Sequence, residues 1–277
     1  MIDETTILAK ERALRRWFTR DADPILAEID GLDIGWGGVQ RWITFRLPLG
    51  GCRRHLDVAC GYATFMAQLA WRFSGLRIVG LNLDFEGPHR LAAALVAEAG
   101  VADRCTFVRA DARSMPFPDR AFDSVSCFLG LQDIEIGFGE VGVRRAVAEA
   151  VRVLRPNGTL ALADEFTPAR WRDVLRPLAV DDVEVVERPL DTRWTRAVAE
   201  RAIELYADGW AAQVRTDGPD RVADARSRVL ERMRAGLERQ LSETGGYVPF
   251  GPIRLATAIR RPARSNPRLP SHMAPAA

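Results

Sequence analysis

The chain has 277 residues, 47% of them apolar and 27% charged, with a formal net charge of +2. That balance suits one sizeable α/β core with additions, and it argues against a dedicated nucleic-acid binder, whose basic residues would gather on one face. No apolar run approaches the roughly 18–20 residues needed to cross a membrane, and the polar start Met1-Ile2-Asp3-Glu4 lacks the parts of a secretion signal, so a cytoplasmic location is expected.

Residues 5–18 read as a helix, with Ile7, Leu8, Leu14, Trp17 and Phe18 as apolar positions. Gly31, Gly35, Gly37 and Gly38 punctuate the chain, and a second helix is expected from Val39 to Leu47, stopped by Pro48. A regular alternation follows. Leu56 to Ala59 reads as a short buried strand, and Thr64 to Phe73 as a helix with Phe65, Leu69 and Phe73 on one face. Arg77 to Leu81 is a second strand. Pro88 to Ala99 is a helix with proline near its start and Gly100 past its end. Strands at Cys105–Val108 and Ser124–Phe128 come next, then a helix from Gly139 to Leu154, a turn at Pro156-Asn157-Gly158 and a strand from Thr159 to Ala163. Strand and helix repeated at this spacing imply a doubly wound sheet of parallel strands, covered on both faces and therefore apolar throughout. Beyond it, Val183 to Glu187 reads as a sixth strand, and 195–243 as two helical stretches. The second carries Val222, Val229, Leu230, Met233, Leu237 and Leu241. Residues 253–260 read as a seventh strand returning to the sheet. Residues 261–277, rich in Pro, Ala, Ser and Arg, are expected to be a disordered tail.

Cys52, Cys60, Cys105 and Cys127 form no C-x-x-C pair and have no histidine at ligand spacing, so no metal site is expected. Lys10 is the only lysine, and the arginines are spread along the chain, which reads as compositional bias rather than a phosphate-binding surface.

In an open parallel sheet, ligands bind beyond the carboxyl ends of the strands, where the winding reverses. Polar and small residues gather at those ends: Ala59-Cys60-Gly61-Tyr62-Ala63, then Asn82, Leu83 and Asp84, then Asp111 and Ala112, then Gln132 and Asp133, then Asp164 and Glu165. Each alone is ordinary as a helix cap or turn former. Their ordered recurrence is what points to a ligand.

The segment HLDVACGYATF, with RIVGLNLDFEGPHRL, FVRADARSMPFPDRAFDSV and AVRVLRPNGTLALADEF, resembles the class I S-adenosylmethionine-dependent methyltransferases over about residues 35–165. It is most similar to the group holding the ubiquinone and menaquinone biosynthesis enzymes and natural-product methyltransferases. The resemblance implies a Rossmann-like, mostly parallel seven-stranded sheet with an antiparallel last strand. It also implies the division 1–50 N-terminal helical lid, 51–188 core, 189–252 helical cap and 253–260 final strand. Asp57 would help hold the methionine part of S-adenosylmethionine. Ala59, Cys60 and Gly61 would offer backbone to the amino acid and ribose, with Asn82 and Leu83 on the second strand. Asp111 would accept from the adenine amino group, the Ala112 amide would meet a ring nitrogen, and Cys127 would offer backbone to the ammonium.

Two departures stand out. Asn82 replaces the usual ribose-binding acid, which weakens that hydrogen bond unless Asp84 substitutes. The first turn has one glycine, so Ala59 and Ala63 are expected to avoid positive φ. A nicotinamide dehydrogenase would want G-x-G-x-x-G here, and only Gly61 is present.

The implied activity is in-line methyl transfer to a small, natural-product, aromatic or lipidic acceptor. Among the base candidates Asp133, His89, Asp164 and Glu165, Asp133 ranks first. His55 is expected to face the opposite end of the sheet, and His272 lies in the tail. Trp17, Phe18, Trp36 and Trp42 in the lid, and Trp194, Tyr206, Trp210 and Tyr247 in the cap, could wall an acceptor pocket or simply pack the additions onto the core. No nucleic acid, metal or membrane span is expected, and the sequence leaves room for a homodimer. The competing readings are a methyltransferase-like protein that catalyses cyclisation or rearrangement, and a non-enzymatic partner subunit with a degenerate site.

Overall fold

The computed structural model describes residues 2–20, 24, 25, 27, 38–83, 88–190, 193–213, 219–244, 247 and 251–262, with the backbone alone at 88–90, 206, 209–213, 219–223, 225, 229 and 244. The expected disordered tail lies outside these residues except at Arg261 and Pro262, and Arg261 is anchored through its N–H to the Ala179 carbonyl and its guanidinium to Asp181.

Helix α1 (Glu4–Thr19) starts where the Asp3 carboxylate accepts from the Thr6 amide at 2.7 Å, a capping bond that satisfies an otherwise orphaned donor. Its buried stripe is Ile7, Glu11 and Leu14, spaced four and three apart. Helix α2 (Val39–Arg46) begins after Gly38, which takes φ 83°, and stops at Leu47 ahead of Pro48. Arg41 of α2 reaches Glu11 at 2.5 Å and Glu4 at 3.2 Å, which ties the two helices together.

Seven strands follow: β1 (Arg54–Val58), β2 (Arg77–Asn82), β3 (Cys105–Arg109), β4 (Phe122–Phe128), β5 (Leu154–Asp164), β6 (Val180–Arg188) and β7 (Ile253–Arg260). They form one sheet in the order β3-β2-β1-β4-β5-β7-β6. The pairs among β1 to β5 are parallel, and β7 enters antiparallel between β5 and β6. The winding therefore reverses between β1 and β4, at the centre of the sheet.

Helices α3 (Thr64–Arg72) and α4 (Pro88–Glu98) cover one face, over a core holding Phe65, Leu69, Phe73, Ile78 and Leu95. Helices α5 (Leu131–Val153) and α6 (Pro168–Leu175) cover the other, over Leu56, Val58, Val125, Val147, Leu160 and Trp171. Helices α7 (Arg196–Gln213) and α8 (Pro219–Thr244) pack on each other between β6 and β7.

Several expectations are corrected. Helix α6 was not foreseen, although Thr167 caps it by accepting from the Arg170 amide and Pro168 opens it, both local signals. Helix α5 begins eight residues before Gly139, which interrupts it at φ 66° and ψ −173°. The central strands are not apolar on both faces either. Leu56 and Val58 enter one core, while His55 and Asp57 alternate to the other side, opposite Ser124 and Ser126 of β4.

Candidate active site

The turn from β1 into α3 takes a conformation that the sequence was expected to forbid. Ala59 (φ 56°), Gly61 (φ 49°) and Ala63 (φ 63°) all lie in the left-handed region. The chain must reverse from strand to helix within five residues, and backbone bonds fix the turn: the Cys60 amide donates to Leu81 O at 3.1 Å, and the Ala63 amide to Cys60 O at 2.8 Å. A left-handed alanine costs about 1–2 kcal/mol, and such strain gathers at functional sites. Gly130, just past β4, completes the close packing. A Cβ there would overlap that of Ala59 and approach Cys127 Sγ to 2.9 Å.

Beneath this turn His55 stands near the amino-terminal end of β1, as expected, but its surroundings were not foreseen. It is fully buried in the middle of the sheet, with Nδ1 2.7 Å from Ser124 Oγ and Nε2 2.8 Å from Ser126 Oγ. Ser126 Oγ donates to Asp57 Oδ1 at 2.5 Å. Burial without a charged partner pushes the His55 pKa down to about 3, so the ring is neutral. Burial pushes Asp57 up to about 7, against the pull of the Ser126 hydrogen bond. Cys127, one residue further along β4, pairs with Val58, and its buried thiol is pushed far up by desolvation.

Asn82 ends β2, with its carbonyl accepting from the Ala110 amide at 3.0 Å, and Leu83 O accepts from Arg109 Nε at 3.2 Å. Asp84 and the His89 side chain lie outside the described residues. Asp111 stands beyond β3, half-buried and clasped by the Arg113 guanidinium, whose Nη2 sits 2.6 Å from Oδ2. Burial alone would raise its pKa, but the hydrogen bonds and charge of Arg113 outweigh burial and hold the carboxyl below its ordinary value. The guanidinium also lies 3.3 Å from the centroid of the Phe138 ring. Ala112 is buried, and the Met115–Phe117 loop that follows is pinned from α5. Arg152 donates to Met115 O (3.1 Å) and Phe117 O (2.8 Å), and Glu149 accepts from the Met115 amide at 2.7 Å.

Two of the base candidates are separated by their partners. Asp164 is fully buried, and its Oδ2 accepts from the Leu131 and Gln132 amides at 3.1 and 3.0 Å, so it caps α5. Burial nonetheless pushes it up to about 7. Asp133, in the first turn of that helix, keeps some surface exposure, but its carboxyl is desolvated. Burial first, and the charge of Asp164 second, push it up to about 8. Glu165 is also raised by burial and accepts from the Gly251 amide, which draws the end of the segment before β7 to the carboxyl end of β5.

The additions reach the same rim. Phe18, near the end of α1, meets Tyr62 of the turn edge-on at 5.6 Å between ring centroids. Gln40 of α2 donates to Thr64 Oγ1 at 2.9 Å, at the start of α3. Trp194 and Tyr247 pair through their backbones at 2.8 and 3.1 Å and close the base of the α7–α8 hairpin. Trp42 is half-buried beneath Arg46, while Trp36 and the side chains of Tyr206 and Trp210 lie outside the described residues.

The strand ends thus bring Asp111 and Ala112, Asn82 and Leu83, Ala59 to Gly61, Cys127 and Asp133 to one rim in spatial order. Sequence reasoning missed Gly130, Arg113, Arg152 and the Ser124–Ser126 pair. Only the serine pair left a signal, as two polar residues alternating with Val125 and Cys127 in the buried part of β4.

A doubly wound sheet with a strained turn and a carboxylate-bearing rim at its reversal point defines a Rossmann-like cofactor-binding protein. A methyltransferase-domain family model matches residues 56–162. The chain is 35% identical over 183 residues to the demethylmenaquinone methyltransferase of Clavibacter sepedonicus, covering 65% of this chain and 64% of that protein. It is 32% identical over 146 residues to the ubiquinone/menaquinone biosynthesis C-methyltransferase UbiE of Stutzerimonas stutzeri, covering 49% and 52%. The chain therefore matches between about half and two thirds of the length of these curated relatives. The YcgJ protein of Bacillus subtilis superposes with a TM-score of 0.55 at 16% identity, over 82% of this chain and 99% of that one. The cyclase SpnF superposes with a TM-score of 0.52 at 20% identity, over 82% of each chain. Both likenesses show the fold. Residues 56–162 thus match a methyltransferase domain, and about two thirds of the chain is similar to a curated methyltransferase.

Among the described residues no helix is long and apolar enough to cross a membrane, and no cluster of side chains suits a metal ion.

Proposed function

We propose that this chain transfers a methyl group from S-adenosylmethionine to a small aromatic or lipidic acceptor of the quinone type. The observation that carries the reading is the ordered rim at the reversal point of the sheet. Its centre is the buried Asp57 carboxylate, which has one hydroxyl donor and whose pKa rises through burial with no cation offsetting it. A buried carboxyl so placed fits a cationic ligand, and S-adenosylmethionine is cationic at both its ammonium and its sulfonium.

In this reading Asp57 and the Cys127 backbone hold the ammonium end, and the Ala59–Gly61 backbone lies along the amino acid and ribose. Asn82 binds a ribose hydroxyl without charge assistance, which makes it the weakest contact. Leu83 packs on the adenine, Asp111 accepts from its amino group, and the Ala112 amide meets a ring nitrogen. Asp111 keeps lone pairs for this beside Arg113, because each carboxylate oxygen accepts more than one bond. The bound cofactor supplies an activated methyl, so the protein's work is to position the acceptor and exclude water. Asp133 takes the acceptor's proton. A carboxyl titrating near 8 is a far stronger base, once ionised, than an exposed one. Residues 1–50 act as the lid through the Phe18–Tyr62 contact, and residues 189–252 as the cap over the acceptor.

The quinone-type acceptor is supported by the likeness to the demethylmenaquinone and ubiquinone/menaquinone methyltransferases. The test incubates the full chain with methyl-labelled cofactor and a set of reduced naphthoquinones and benzoquinones. Product gaining one methyl is expected. Absence of cofactor binding by calorimetry at millimolar concentration overturns the cofactor assignment. Label in none of the aromatic acceptors overturns the acceptor class, and a product of unchanged mass points to rearrangement instead.

A further inference from the structure

We propose that His55 is a positioning residue for the cofactor-facing carboxylate. Clamped between Ser124 and Ser126, it turns the Ser126 hydroxyl so that its proton points at Asp57 and favours the carboxylate's anionic form. The inference rests on the reading that Asp57 faces the cationic end of the cofactor.

Strand register makes the arrangement. His55 pairs with Ser124 and Asp57 with Ser126 on neighbouring parallel strands, so two residues from each strand share one face. All four are at most 1% exposed. A position between packed helices and a central sheet normally holds valine or isoleucine, and four polar groups there are costly unless each is satisfied.

Counting protons fixes the direction of the chain. Ser126 has one hydroxyl proton, and Asp57, 2.5 Å away, can take it as an anion. Ser126 Oγ must then accept from His55 Nε2, which carries the ring's single proton because the imidazole is neutral. Nδ1 is left as an acceptor, and Ser124 donates to it. Every dipole in the series points toward Asp57. Without the histidine, the Ser126 hydroxyl could rotate toward a backbone carbonyl and leave the carboxylate with no donor.

Among the described residues the titratable groups facing Asp57 are few. His55 lies on its own strand, Cys127 on β4, Cys105 on β3 and Cys60 in the turn. Burial pushes Cys105 up to about 12, and the other two thiols also stay protonated. Asp57 is therefore the group in this set that changes charge near neutral pH.

Two readouts test the proposal, and the first needs no cofactor. In protein labelled with carbon-13 at aspartate and nitrogen-15 at histidine, NMR should show His55 protonated at Nε2. It should also show Asp57 titrating about one unit higher in Ser126→Ala and in His55→Leu than in the parent chain. His55→Gln, which keeps a side-chain N–H for Ser126, should return the midpoint toward the parent value. The second readout is S-adenosylhomocysteine affinity by calorimetry. A one-unit shift predicts about tenfold weaker binding at pH 6 and convergence with the parent at pH 8.5. A purely structural histidine would weaken binding equally at both pH values.

An Nδ1-protonated ring, or an unshifted Asp57 midpoint in folded Ser126→Ala, overturns the proposal. The Ser126 variant leaves His55 in place and so serves if His55→Leu fails to fold. A shifted midpoint with no S-adenosylhomocysteine binding in the parent chain would sink the cofactor reading and leave the relay standing.

Discussion

Replacing Asp57 by asparagine should stabilise the cofactor-free protein at pH 8 while weakening its hold on the cofactor. The Asp57 carboxyl is raised from 3.8 to about 7 on folding, because burial penalises its charge more than Ser126 relieves it. The group is fully buried, so solvent screening gives little discount. Below about pH 4 the folded and unfolded chains both carry the proton, and the group contributes no difference. Between about pH 4 and 7 the unfolded chain releases a proton that the folded chain keeps, and stability falls by about 1.4 kcal/mol per pH unit. Above pH 7 the full penalty of about 4 kcal/mol is present. Asparagine carries no charge and still offers Oδ1 to the Ser126 hydroxyl. Urea unfolding of both proteins from pH 4 to 8.5 should give curves that coincide at the acid end and separate by up to about 4 kcal/mol at the alkaline end. Asp133 and Asp164, also raised, bend both curves alike and cancel in the difference. Parallel curves, with asparagine equally destabilising at every pH, would refute the reasoning. So would an asparagine variant that binds S-adenosylhomocysteine as tightly as the parent.

Three further outcomes follow from the site. Asp133→Asn should lower kcat by about 10²–10⁴-fold with little change in cofactor affinity, and the parent rate should rise with pH through about 8 as the carboxyl ionises; a flat pH–rate profile counts against Asp133 as the base. Ala59→Gly should raise stability by about 1 kcal/mol by relieving the left-handed conformation, and a lower urea midpoint would show that the turn is not strained. Gly130→Ala should destabilise by about 1–3 kcal/mol, because its Cβ would overlap Ala59. It should also weaken cofactor binding, and calorimetry showing unchanged affinity would place the Ala59 turn away from the cofactor.

The element order was legible because it depends on local signals. Apolar spacing placed Phe65, Leu69 and Phe73 on one helix face, and Gly100 marked a helix end at φ 69°. The last strand's antiparallel course came from the family resemblance. Helix α6 escaped notice because Thr167-Pro168 opens a helix of only eight residues, too short for a clear period. The start of α5 was misplaced for a related reason: Gly139 looks like a helix boundary, yet the chain resumes its turn beyond it.

Sequence by itself determined which residue types stand at the strand ends, since each follows a recognisable strand and the glycine and acid spacing needs no knowledge of neighbours. It could not decide what those residues touch. Whether Asp164 acts as a base or caps α5 depends on chain segments brought together by folding. His55 makes the contrast most clearly. Its position at the start of the first strand suggests the end of the sheet opposite the ligand rim, but register brings it against two serines 69 and 71 residues away in sequence. Strand pairing is a non-local choice made by packing both faces of the sheet at once, so the polar chain leading to Asp57 exists only in the folded protein.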